Sequence, residues 1–281
     1  MQGASRESYA TARAELDQLT DAATLATAAQ EILAVARLLR TEPRLRRAIS
    51  DPSRTGEERA ALLAGLVGGQ IGPVAQQLLT TLVAGRWSSP VDLLDGVERL
   101  GVETLIVGAD RAGELADVED ELFRFGQIVS GDTRLSVTVA DAAVPAAYRA
   151  ELVEQLLTGE PSGETPGVRS AKAKAATVEL AQQAVRGFGG RSFAGALTRL
   201  VELAAEERGR SVAYVTVAQP LSDADEERLG AALAQRYGRE VAVKVTVDPR
   251  VLGGASVQVG SDLYDGTVSR RLGDVRKALT S

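Results

Sequence analysis

Two acidic clusters are the first places to look for chemistry: Glu119-Asp120-Glu121, and Asp223, Asp225, Glu226 and Glu227. Paired carboxylates exchange protons or hold hard cations when a fold brings them to one point. Both clusters fall near expected helix starts, where the helix dipole favours negative charge. The expectation is therefore a solvated helix N-terminus at each. Gly187-Phe188-Gly189-Gly190-Arg191 has the glycine content of a phosphate cradle. It lacks the paired glycines at P-loop spacing and the Lys and Ser or Thr that follow them, so it is expected to connect two helices. Trp87, the single Trp, is expected to be a packing anchor. The chain has no His and no Cys. This removes the commonest general base and metal ligand, the thiol nucleophile and any disulfide. No catalytic residue, metal site or cofactor is expected.

The elements that would carry such groups are mostly helices. The chain has 281 residues, 44% apolar and 25% charged, enough for two or three domains with real cores. Aromatics are only 4%, so Leu, Val and Ala must fill the interior. A formal net charge of −6 argues against binding nucleic acid phosphates. No run of about 18 apolar residues stands out, so no membrane insertion is expected. Met1 to Ser8 is polar without an apolar signal core, which predicts a cytoplasmic protein.

Residues 1–101 read as a helical bundle. Leu16, Leu19, Ala23 and Ala26, then Ile32, Val35, Leu38 and Leu39, keep helical spacing. Thr55 to Glu58 forms a capping-box pattern, Gly68-Gly69 a stop and Pro73 a new start. A further helix is expected from Pro90 to Leu100. Residues 102–209 resemble a second copy shifted by 90. Arg44-Leu45 falls on Arg134-Leu135, Asp51 on Asp141, and Arg59-Ala60 on Arg149-Ala150. Gly85-Arg86 then matches Gly190-Arg191 at a shift of 105, the difference absorbed by a surface loop at Thr158 to Ser170. Residues 210–281 change period. Val212–Ala218, the alternating Val241–Val247 and Ala255–Val259 read as strands. A helix lies between the first two, and a final helix carries Val268, Leu272, Val275 and Leu279. The fold class is mostly α: a helical bundle, a duplicate-like helical region and a small C-terminal α/β domain.

The stretch Val247-Asp248-Pro249-Arg250-Val251-Leu252-Gly253-Gly254, with its following strand and Asp265-Gly266-Thr267-Val268, resembles a family signature. It is similar to that of the delta subunit of bacterial F-type ATP synthases, the oligomycin-sensitivity-conferring protein in mitochondria. Thr267 stands where the family usually has Ser. The extra helical copy resembles the long form found in actinobacteria. The resemblance implies a non-catalytic peripheral-stalk, or stator, subunit, present once in a hetero-oligomeric complex at the cytoplasmic face of the cell membrane. The N-terminal bundle would hold alpha subunits of the catalytic head. The C-terminal domain would hold the membrane-anchored b subunit, so that proton flow is coupled to ATP synthesis. Val268, Arg271, Leu272 and Val275 are the expected b contact, although the same apolar stripe could equally serve the domain's own fold. Asp248, Pro249, Gly253, Gly254 and Asp265 are expected in structural roles: a glycine turn or bulge, and Asp265 as a cap of the last helix. The rival readings are a helical adaptor of another complex, and an enzyme that works with carboxylates and Arg alone.

Overall fold

The computed structural model describes residues 3–159, 172–238, 240–259, 262–268 and 270. Six helices build a first bundle: α1 (Ala4–Leu16), α2 (Ala22–Thr41), α3 (Pro43–Ile49), α4 (Gly56–Val67), α5 (Pro73–Ala84) and α6 (Pro90–Arg111). Their starts follow local rules. The Asp21 carboxylate accepts from the Thr24 N–H at 2.8 Å. Thr55 and Glu58 close a reciprocal capping box. Pro90 opens α6 behind the Ser89 cap. Leu16, Ile32, Leu78, Leu82, Leu93 and Leu100 are fully buried between these helices. Each such side chain contributes roughly 1.5–3 kcal/mol. Leu38, counted in the apolar stripe of α2, is exposed. Trp87 is indeed a packing anchor: it donates to the Leu82 carbonyl at 3.0 Å and lies against Gly96.

By length and composition, α2 could cross a membrane, which the sequence reading did not anticipate. Here Leu25, Ala29, Ile32, Leu33, Ala36 and Leu39 of α2 form core, much of it against α6.

Five further helices follow: α7 (Leu115–Gly131), α8 (Thr133–Ala140), α9 (Ala146–Thr158), α10 (Ala175–Val185) and α11 (Phe193–Glu207). Their spacing along the chain parallels that of the first bundle. At the offset of 90, α2, α3 and α4 fall on α7, α8 and α9. The surface loop expected at Thr158 to Ser170 lies almost wholly outside the described residues; past it the offset is 103, set by the matching Ser89 and Ser192 caps, rather than the 105 suggested by Gly85-Arg86 and Gly190-Arg191. A single 3-10 turn, Phe188–Gly190, fills that glycine-rich connection between helices.

The helix expected to stop at Leu100 runs on to Arg111, so the 101/102 division falls inside α6. Every residue from Leu100 to Ala109 is buried, as in a helix packed on all sides. Gly101 lets Ile32 and Leu33 of α2 come close. The middle of α6, residues 94–106, also stands where the offset of 90 places the counterpart of α1. One helix thus closes the first bundle and opens the second.

The last elements among the described residues are β1 (Ser211–Val217), α12 (Asp223–Tyr237), β2 (Val241–Val247), β3 (Ala255–Val259) and β4 (Asp262–Asp265), in the sheet order β2-β1-β3-β4, and most of the expected final helix lies outside the described residues. The pair β1–β2 is parallel across the α12 crossover, and the other pairs are antiparallel. The fourth strand was not expected from the sequence. Ala213, Val215, Val217, Val257 and Val259 pack with Leu233 of α12. Val212 joins the second bundle's core from the opposite sheet face.

Candidate functional site

The signature residues meet in space although 11 or more positions separate their two segments. The Asp248 N–H donates to the Val217 carbonyl at 2.8 Å as the chain leaves β2. Its carboxylate accepts from the Arg250 N–H at 2.9 Å and from the Arg250 guanidinium, which holds the Asp248 carboxyl below its ordinary range. Pro249 follows in the same turn. Gly253 and Gly254 have φ of +100° and +79°, a region closed to most side chains. A Cβ on Gly254 would also collide with the Gly266 carbonyl oxygen. The Val268 N–H donates to the Gly253 carbonyl at 3.0 Å, and the Gly266 N–H to Ala255 at 2.9 Å. The glycine pair is thus the socket into which the segment after β4 docks. Gly254→Ala is expected to destabilise the C-terminal domain by about 1–3 kcal/mol. Denaturation followed by amide exchange in β3 and β4 would measure it.

Asp265 was expected to cap the last helix directly. Instead its carboxylate accepts from the Thr267 N–H at 3.0 Å and the Thr267 hydroxyl at 2.7 Å, and the Thr267 oxygen accepts from the Arg270 N–H at 3.3 Å. Thr267 is the cap and Asp265 positions it, which lowers the Asp265 carboxyl from its ordinary range. The hydroxyl is what this position requires, and Thr supplies it as Ser would. Val268 is exposed beside Gly253. Arg271, Leu272 and Val275 lie outside the described residues.

The first acidic cluster is not a solvated helix start. Glu119 is one turn inside α7 and only 1% exposed. It pairs with Arg208 at 3.1 Å, Arg210 at 3.0 Å and Lys244 of β2 at 3.0 Å. Asp120 takes the same Lys244, while Glu121 accepts from the Lys174 N–H at 2.9 Å and from Thr177. The cluster is the joint between the second bundle and the sheet. Of the second cluster, Asp223, Asp225 and Glu226 occupy the first turn of α12 behind the Ser222 cap, as expected, and Glu227 follows them.

Other buried carboxylates also serve joints. Glu103 pairs with Arg13 at 3.0 Å and Arg99 at 2.7 Å, and Arg13 reaches Glu207 of α11 at 2.6 Å. Glu98 pairs with Arg40, which also donates to the Arg186 carbonyl. Burial raises the Glu98 carboxyl above its ordinary range, against the pull of Arg40.

Two cavities stand out. A polar one of about 520 Å³ is lined by Asp95, Arg99, Arg191, Arg199 and Glu202. Arg99 there is already paired with Glu103, and Arg199 with Glu202 and Glu206. An apolar cleft of about 340 Å³ lies between α7, α8 and α11 and ends on Tyr214 of β1 and Thr246 of β2. Among the described residues no group of His, Cys, Asp and Glu could hold a metal ion.

Comparison with known proteins agrees with this organisation. Residues 6–96 and 102–279 match the family described as ATP synthase delta (OSCP) subunit. The second stretch holds a bundle and the sheet, and the first a bundle alone. The chain is 58% identical over 278 residues to ATP synthase subunit delta of Salinispora arenicola, covering 98% of this chain and 97% of that one. It is 45% identical over 281 residues to ATP synthase subunit delta of Streptomyces avermitilis, covering 99% and 98%. With its signature segments joined at the Gly253-Gly254 socket and nearly its whole length matched, the chain belongs to the ATP synthase delta (OSCP) subunit family.

Proposed function

We propose that this chain is the two-ended tether of an ATP synthase stator, with the first bundle toward the alpha subunits of the head and the C-terminal domain toward the membrane-anchored b subunit. Members of the family are structural rather than catalytic subunits. The observation that carries the reading is membership itself, together with the way Asp248 to Gly254 and Asp265 to Val268 build one site. A tether requires stiff joints between its ends. The shared helix α6 and the buried Glu103 and Glu119 ion pairs supply them. In this reading the chain stands at the cytoplasmic face of the membrane without entering it, and keeps the head from turning with the rotor.

The test is a binding assay with the purified full chain. Arg271→Glu combined with Leu272→Asp is expected to weaken binding of the cytoplasmic segment of b at least tenfold while alpha binding stays unchanged. Equal b affinity in the double variant would remove the C-terminal contact from the proposal.

A further inference from the structure

The two helical bundles differ in side-chain size where the apolar cleft opens. In the first bundle α3 packs on α6. Arg40 of α2 pairs with Glu98 of α6, and Arg46 of α3 donates to the Leu39 carbonyl at 3.2 Å. Long charged side chains therefore fill the space between these helices. At the same offsets the second bundle has Ser130 for Arg40, Ser136 for Arg46 and Val201 for Glu98. Each replacement is shorter and uncharged, and α8 makes no comparable packing with α11. The result is the cleft of about 340 Å³, floored by Leu122, Leu197 and Val201.

We propose that this cleft is a second docking site for the stator helix, one that receives an amphipathic partner helix presenting large, uncharged apolar side chains. Its chemistry selects that occupant. None of the sixteen lining residues carries a charge, in a chain of which 25% is charged. A charged insert would lose its water and find no counter-ion there. The space is a gap between helices that, in the first bundle, is occupied by the side chains of Arg40, Arg46 and Glu98 of the corresponding helices. Ile128 of α7 and Val137 of α8, beside lining residues, are each more than 60% exposed. They extend the apolar strip beyond the size of a small ligand. At its far end the cleft is walled by Tyr214 and Thr246, so it is continuous with the domain read as the membrane-proximal end. The proposal rests on that reading of the C-terminal domain and adds a contact in the inserted bundle. The duplicated copy then extends the grip on the stalk helix.

The chain has no Cys of its own, so Ser136→Cys gives a single reporter in the cleft. Its maleimide labelling is measured in the full chain, with and without a saturating cytoplasmic segment of b. Protection of at least tenfold is expected. Bound b with undiminished labelling overturns the cleft site and leaves the C-terminal contact standing. A b segment that fails to bind the chain at all overturns both. Ser130→Arg with Val201→Glu refills the socket with the first copy's ion pair. It is expected to weaken b binding at least tenfold while Arg271→Glu/Leu272→Asp acts separately on the C-terminal contact. Unchanged affinity in this correctly melting double variant counts against the cleft.

Discussion

Replacing Glu119 with Ala is expected to cost about 3–5 kcal/mol of stability and to loosen the C-terminal sheet from the second bundle before the helices melt. The carboxylate is almost fully buried and faces Arg208, Arg210 and Lys244. Lys244 is itself 8% exposed. Deleting the anion leaves Arg210 and Lys244 poorly hydrated, with Asp120 and Glu240 as the carboxylates they still reach among the described residues. That residual repulsion, more than the lost attraction, sets the size of the effect. Glu119→Gln keeps the shape but not the charge, and is expected to lose nearly as much. If the joint acts as described, amide exchange rises first in β1 and β2 and in the 208–210 connection, with α1 to α5 unaffected. An unchanged denaturation midpoint would mean that the joint is held by Val212 and its apolar neighbours instead.

Local rules made much of this architecture legible. The Thr55–Glu58 box, the Ser222 start and the Gly238 stop of α12 are set by residues within one helical turn. The alternating Val241–Val247 strand is equally self-contained. What was missed depends on residues far away in sequence. Glu119 looks like any carboxylate near a helix start, because its cations come 89 or more positions later. Leu100 seemed a helix end, because Gly101 and the all-round burial beyond it break the one-sided pattern. Asp262–Asp265 is short and acidic, and pairs only because β3 offers an open edge. Of the site, the glycine socket was legible as a turn, since two adjacent glycines announce it. Its docking onto Gly266 and Val268 was not. The cleft was invisible for another reason: it arises from residues that are small compared with their counterparts, and spacing carries no sign of volume.

Arg59→Ala is expected to destabilise the first bundle by about 3–5 kcal/mol, and Arg149→Ala the second by about half as much. The two arginines occupy the same position on α4 and α9 and perform the same task. Arg59 is 5% exposed and donates to the carbonyls of Val83 at 3.2 Å, Arg54 at 2.6 Å, and Ala84 and Gly85 at 2.8 Å each. It therefore ties the end of α5 to the loop before α4. Arg149 repeats this with the carbonyls of Val144 at 3.0 Å, Val139 at 2.8 Å and Val185 at 3.3 Å. Truncation strands those carbonyls at a helix end that has lost its donors, and each buried one costs about 1–3 kcal/mol. Fewer and more exposed bonds make the second staple weaker. Lys at either position keeps the charge but cannot fork to several carbonyls, so it should recover less than half of the loss. Urea denaturation of the four variants, with exchange resolved on α5 and α10, reads both effects in one experiment. Equal losses at the two sites would mean that the copies have kept equal staples. The expected inequality fits a second copy in which packing between its own helices has been relaxed, as the open cleft beside α8 also requires.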